Sequence, residues 1–453
     1  MRHKIQIILL TIAAFLFFIS CDKETKEMIA DSGPQQYGIA FSNIPETQRI
    51  VMYEVNIRAF SANGNLQDVI SRLDSIKNLG INVIWLMPVY PVGEINSVNS
   101  PYCIKNYMKV NAEFGSLDDL RELTDEAHIR NMAVVLDWVA NHTAWDNPWI
   151  DNTDWYSQVD GEIISPPGTG WNDVADLNFD NMEMRKEMIA SMQYWVLEAN
   201  IDGFRCDAAD YVPYDFWKQA IDSLKCIKNR KLILLAEGSR TDHFDAGFQM
   251  NYGWSFYGKL KDVFVNGTSA SGIYTTHLSE YIGLPAGAER LRFTTNHDES
   301  AWDATPIEIF NGADGAMAAS IIAVCLGGIP LIYGSQEVGT SGTVAFFYND
   351  PINWNTHPEM LQFYNALMQF YNSSDPLVIG GITNYTFTDA VCFKKKIGEE
   401  EVVVIVNVRN ANTEITLPSD LQYTNWKDAF TNEDLTLTET LSLNNYGFKI
   451  LYH

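Results

Sequence analysis

From about residue 47 onward the chain alternates short apolar runs with longer amphipathic stretches. Residues 50–55 read as a strand. Residues 66–79 place apolar side chains three and four apart and stop at Gly80, which predicts a helix closed by a glycine. Further apolar runs at 83–87, 133–137, 203–207, 232–237, 291–298 and 330–333 read as buried strands. Continuous apolar strands separated by helical stretches predict a parallel sheet covered by helices.

The spacing of the strand ends sharpens this picture. Asp207 to Glu237 is 30 residues, one strand–helix unit, and Glu237 to Asp298 is 61, two units. Asp298 to Tyr333 is 35, and Asp137 to Asp207 is 70, one unit with an excess of about 40. The count predicts an eight-stranded (β/α)8 TIM barrel over 45–375, with a short insertion after the third strand at 143–180. After about residue 376 the runs 391–393, 401–408, 413–417 and 447–452 predict a small antiparallel β domain, a sandwich over 376–453.

The first residues are of another kind. Arg2, His3 and Lys4 precede an almost unbroken apolar run over 5–19, followed by Ser20 and Cys21. That is the form of a secretory signal, and the run is shorter than the roughly 20 residues a spanning helix needs. The polar stretch behind it reads as a linker to residue 44. Apolar residues are 46% of the chain and charged residues 19%, which excludes disorder as the main state. The net charge of −26 repels phosphate backbones, so nucleic acid is excluded as a partner and neutral substrates are not. None of the six cysteines (21, 103, 206, 226, 325, 392) forms a C-x-x-C pair, and apart from Cys21 they read as mostly buried thiols.

The chemistry concentrates at the strand ends, where a barrel presents its active groups. Arg205 and Asp207 are two apart on a strand and share a face, so the arginine holds the carboxylate ionised, either as a nucleophile or as a structural ion pair. Glu237 ends a buried strand, where desolvation raises a carboxyl pKa toward that of a general acid. His297 and Asp298 can bond sugar hydroxyls and stabilise positive charge, and Asp137 with His142 marks another strand end. H-E-x-x-H, G-x-S-x-G, Walker and G-x-G-x-x-G sequences are all absent, so no organic cofactor is indicated.

Together, DWVANH (137–142), GFRCDAADYV (203–212), AEG (236–238) and TTNHD (294–298), with ADLN (175–178), 100–120 and 329–339, resemble the α-amylase family, glycoside hydrolase family 13, over about 45–375. The resemblance implies a retaining hydrolase of α-1,4-glucosidic bonds in starch, glycogen or maltooligosaccharides. Asp207 is then the nucleophile, Glu237 the acid/base and Asp298 the transition-state stabiliser. Among the substrate-site residues implied are Tyr102 as a stacking ring, His142 and His297 as sugar-hydroxyl contacts, Arg205 as the arginine that positions the nucleophile, and Asp137 as the acid that opens the first motif. A family calcium site is implied at Asn141, Asp176 and the Tyr211 carbonyl. Residues 18–21 (FISC) resemble a bacterial lipoprotein cleavage box, which implies lipidation of Cys21 and export to a membrane surface.

The chain also departs from common members of that family. Asp210 and Tyr211 stand where many carry Lys-His, and Asn106 stands where Asp is frequent. Trp145, Trp149, Trp155 and Trp171 in the insertion are either stacking platforms or lid packing. A cyclomaltodextrinase- or neopullulanase-type enzyme, a transglycosylase and a non-catalytic α-glucan-binding protein are the alternatives.

Overall fold

The computed structural model describes residues 34–453. The signal segment and Cys21 lie outside the described residues. Eight parallel strands close into a barrel: β1 (Met52–Val55), β2 (Val83–Leu86), β3 (Ala133–Val139), β4 (Gly203–Asp207), β5 (Ile233–Ala236), β6 (Met250–Tyr252), β7 (Glu289–Arg292) and β8 (Ile329–Tyr333). Each is followed by one or more helices, and β8 pairs back onto β1 with Met52 beside Leu331. The strands are buried on both faces, which is why they are written as unbroken apolar runs.

β6 is the strand without a sequence signal. Its Met-Asn-Tyr has no β-branched run, and its place is held by pairing with β5 and β7. The predicted helix over 66–79 is instead two helices, Leu66–Ile70 and Leu73–Asn78. At the break Ser71 Oγ donates to the Asp68 carbonyl at 2.6 Å, and the Arg72 guanidinium lies 4.0 Å from the Trp354 ring. Gly80 closes the second helix at φ 80°.

The insertion after β3 folds as a small lid. Residues His142–Ala144 pair antiparallel with Val174–Asp176, and a hairpin joins Gln158–Val159 to Glu162–Ile163. The C-terminal region is two sheets. The larger has six strands: β9 (Gly381–Thr386), β10 (Ala390–Ile397), β11 (Glu400–Asn407), β13 (Asn425–Asp428), β14 (Asp434–Thr436) and β16 (Phe448–Tyr452). The smaller pairs β12 (Thr413–Thr416) with β15 (Thr440–Leu443).

Alternation along β11 explains how that region attaches. Val402, Val404 and Val406 join the barrel's core, while Val403 and Ile405 join a second core with Ile415, Trp426 and Leu443. One sheet is therefore buried on both faces. The helix Ala313–Cys325, apolar on nearly every side, lies in the barrel layer against it. Among the described residues no helix is long and apolar enough to cross a membrane.

Candidate active site

The C-terminal ends of the strands bring the predicted carboxylates to one pocket of about 370 Å³. Asp207 ends β4, Glu237 follows β5, and Asp298 sits in the first turn of the helix His297–Trp302 behind β7. All three line that pocket, with Tyr102, His142 and His297.

Arg205 is the hub. It is wholly buried, and its Nη1 donates to Asp137 Oδ1 at 2.8 Å and to Asp207 Oδ1 at 2.9 Å. Its Nη2 lies 3.0 Å from Glu237 Oε2, an ion pair without hydrogen-bond alignment. Its Nε donates to Tyr252 Oη at 3.2 Å, and the guanidinium lies 4.9 Å from the Trp85 ring. After Asp207 the chain turns sharply through Ala208, a non-glycine residue at φ 45°, whose N–H donates to Glu237 Oε2 at 2.7 Å. The backbone of Ala209 then donates to the Glu237 carbonyl at 2.9 Å, so the loop behind β4 is locked to the end of β5.

A second chain of contacts fixes His297. Tyr102 donates its one hydroxyl proton to Asp137 Oδ2 at 3.0 Å, so the 2.7 Å contact with His297 Nε2 uses the imidazole proton. His297 Nδ1 faces Glu54 Oε1 at 2.5 Å. Both ring nitrogens therefore act as donors, and His297 is a cation. Burial works against that charge, but Asp298 and Glu54 prevail and lift its pKa to about 9.

Burial dominates the carboxylates. It lifts Asp207 to about 6 against the pull of Arg205, with Asp137 and Asp298 adding to the rise. It lifts Glu237 to about 7, again against Arg205 and with Asp207 and Asp298 adding. His142 is pushed down to about 4 by burial and stays neutral.

Two of the implied substrate-site residues stand behind the pocket, and Arg205 lies against Asp207, the carboxylate it is implied to position. Asp137 and Arg205 have no exposed side-chain surface and do not line the pocket. Asp137 accepts from Trp85 Nε1, Tyr102 and Arg205, which occupies it fully. Both hold the pocket wall from behind. Glu54 and Tyr252 were not singled out from the sequence. A charged residue inside the apolar stretch 50–55 was the available signal for Glu54, whereas Tyr252 lies on the strand that left none.

The four insertion tryptophans divide. Trp145, Trp149 and Trp155 pack partly buried against the core, Trp149 with its ring centroid 4.9 Å from Tyr107. Trp171 alone of the four lines the pocket, 36% exposed, and lies 5.7 Å from the exposed Tyr211 ring. Asp210 turns away to accept from the Ser239 and Arg240 backbone N–H groups at 3.0 and 3.2 Å, and so braces the loop behind Glu237. Asn106 lies in a separate groove, where it accepts from the Met108 N–H.

The proposed calcium residues do not make a cation cage. Asn141 and Asp176 are neighbours through the lid pairing, where the Leu177 N–H donates to the Asn141 carbonyl at 3.2 Å. With the Tyr211 carbonyl the set supplies one carboxylate and two neutral oxygens, short of the six to eight oxygens calcium takes. The carbonyls on either side of Tyr211, those of Asp210 and Val212, are taken by Arg240 Nη1. Among the described residues no group of three or more His, Cys, Asp or Glu side chains could hold a metal.

Residues 27–163 and 169–252 match the family model of the alpha amylase catalytic domain. Alpha-amylase MalA of Haloarcula japonica is 25% identical over 420 residues, which span 86% of this chain and 60% of that protein. Alpha-amylase 3 of Dictyoglomus thermophilum is 28% identical over 354 residues, 69% of this chain and 68% of its own. Among solved structures, the maltogenic alpha-amylase AmyB from Thermotoga neapolitana superposes with a TM-score of 0.81 at 25% identity, covering 90% of this chain and 99% of that one.

Proposed function

We propose, from the premise that this chain carries an alpha-amylase catalytic domain and is a glycoside hydrolase, that it cleaves α-1,4-glucosidic bonds in starch, glycogen or maltooligosaccharides with retention of configuration. One observation carries the reading. A single guanidinium buried behind one pocket lies 2.9 Å from Asp207 and 3.0 Å from Glu237, both of which line that pocket with Asp298.

The roles follow from the environments. Glu237, the more strongly raised carboxyl, gives its proton to the glycosidic oxygen. Asp207, aimed by Arg205, attacks the anomeric carbon, and the C–O bond to the leaving sugar breaks. The Glu237 carboxylate then takes a proton from water, whose oxygen displaces Asp207 and releases the sugar in its original configuration. Asp298 and His297 hold the ring hydroxyls, and the positive charge building on the ring is met by the Asp207 and Asp298 carboxylates.

The test is the NMR anomeric signal of maltoheptaose products in the first minutes of reaction. The α-anomer should appear first, and Asp207→Asn should lower kcat by about 10⁴-fold or more. An initial β-anomer would overturn retention. Binding of maltoheptaose with no reducing ends released would establish a non-catalytic glucan-binding protein. Trp171 and Tyr211 favour a second reading. Both are exposed aromatics beside the loop locked to Glu237, where a departing or incoming sugar sits, as transglycosylation or cyclodextrin cleavage requires. Products from cyclodextrin and pullulan separate these. Export and lipidation at Cys21 belong to the same proposal. Metabolic palmitate labelling that survives Cys21→Ser would refute them.

A further inference from the structure

In a chain with 57 acidic against 31 basic residues, positions 225–231 (Lys-Cys-Ile-Lys-Asn-Arg-Lys) hold four cations in seven. The segment joins the helix Tyr214–Lys225 to β5, so it lies at the barrel end opposite Glu237. Phe41 and Ser42 share a shallow concavity with it. Lys231 pairs with Glu46 at 2.8 Å. Lys225 and Lys228 are exposed and form no ion pair among the described residues. Arg230 Nη2 donates to Gln36 and Asn200 and its Nε and Nη1 are buried, so Lys225 and Lys228 are the loop's free surface cations among the described residues.

The strap leading into β1 crosses this same end of the barrel. Its Asn43 donates to Asn131, its Phe41 stacks on His128 at 4.4 Å, and its Ile39 carbonyl accepts from Asn200. The Ile39 side chain is 89% exposed beside the basic loop. Residues 22–33, which separate the strap from Cys21, number twelve and can span at most about 40 Å.

We propose that loop 225–231, with Ile39 beside it, docks on the phosphate headgroups of an anionic bilayer and turns the catalytic pocket away from that surface. The inference rests on the reading that Cys21 carries lipid. The lipid holds the chain at the membrane, and a basic patch attracted to anionic headgroups decides which face of the barrel is turned toward it. Here the strap over 34–46, to which the tether connects, and the patch lie at one end of the barrel. The remaining surface of a chain with net charge −26 is repelled by the same lipids, which confines contact to the patch and so sets the orientation.

The test uses the chain without residues 1–21, which keeps every described element. At low salt it should co-sediment with vesicles of phosphatidylcholine containing about one-third phosphatidylglycerol at least threefold more than with phosphatidylcholine alone, and lose that excess when salt is raised. Lys225→Gln with Lys228→Gln should remove most of the excess and leave maltoheptaose turnover unchanged. Cys226, the one exposed free thiol among the described residues, provides a second readout. An environment-sensitive dye there should shift to the blue on the anionic vesicles. Equal sedimentation with both vesicles, or an excess untouched by the double substitution, would overturn the proposal. The same dye shift produced by millimolar inorganic phosphate in the absence of vesicles would overturn the proposal in favour of a free-anion site. Since this chain carries no lipid, a failure of the Cys21 reading appears in the palmitate experiment and not in this one.

Discussion

Arg205 is one cation shared among three buried acids, and that sharing sets the working protonation of the pocket. The proposed mechanism needs Asp207 ionised and Glu237 protonated, and burial places their pKa values at about 6 and about 7. kcat/KM should rise as pH climbs through about 6 and fall as it passes about 7. With an aryl maltoside whose leaving group needs no proton, Glu237→Gln should erase the alkaline fall and keep the acid rise. A profile flat from pH 5 to 8 would contradict both assignments. The same raised values carry a stability cost. A folded state that holds protons more tightly than the unfolded chain loses stability as pH rises through about 7, so Glu237→Gln should raise Tm at pH 8 by about 2–4 °C. Asp207 and Glu237 were legible in the sequence because each ends an apolar run, and Asp298 through the polar Thr-Thr-Asn-His-Asp stretch that follows one. Asp137 was legible as a site residue but not as a buried one, because a strand-end position does not say how many donors will saturate a carboxylate. Glu54 was overlooked because its partner, His297, is 243 residues away.

At the level of elements, the close approach of β4 and β5 decides whether Arg205 and Glu237 meet. Gly203 opens β4 directly against Ile233. A β-carbon there would stand 1.9 Å from the Ile233 carbonyl oxygen, inside any tolerable contact and against backbone that cannot swing aside. Gly203→Ala should therefore destabilise the barrel by about 3 kcal/mol or more, read as a lower urea midpoint, whereas Gly258→Ala, with open space around it, should not. The strands with long apolar runs were readable because burial on both faces leaves no other composition for them. β6 was readable only as a gap of two units in the spacing, since three residues held by their neighbours need no propensity of their own. The lid's fold was not readable, because its short strands are ordered by pairing across some 30 residues and not by local period.

For the whole molecule, the C-terminal sheet is part of the barrel's core and not an appendage. Phe363 stacks on Phe430 with centroids 5.7 Å apart and packs edge-on to Phe448, and Lys395 gives its Nζ to the Leu377 carbonyl. Removing residues 381–453 uncovers that apolar face, so the shortened chain should appear in inclusion bodies, while the full chain stays in solution. Equal solubility of the two would show that the barrel is self-sufficient. The alternation along β11 made the strand legible, but a second buried face could not be read from it until the partner layers were known.

Among the described residues four carboxylates line the pocket, those of Asp173, Asp207, Glu237 and Asp298, and Glu54 and Asp137 lie buried behind them, against His297 in the wall and Arg205 behind it. Such a well attracts small hydroxylated ammonium ions, which resemble a fragment of a charged sugar ring. Tris should therefore compete with substrate, raising the apparent KM and leaving kcat intact, and rates taken in that buffer would understate the enzyme relative to an amine-free medium of equal pH and ionic strength.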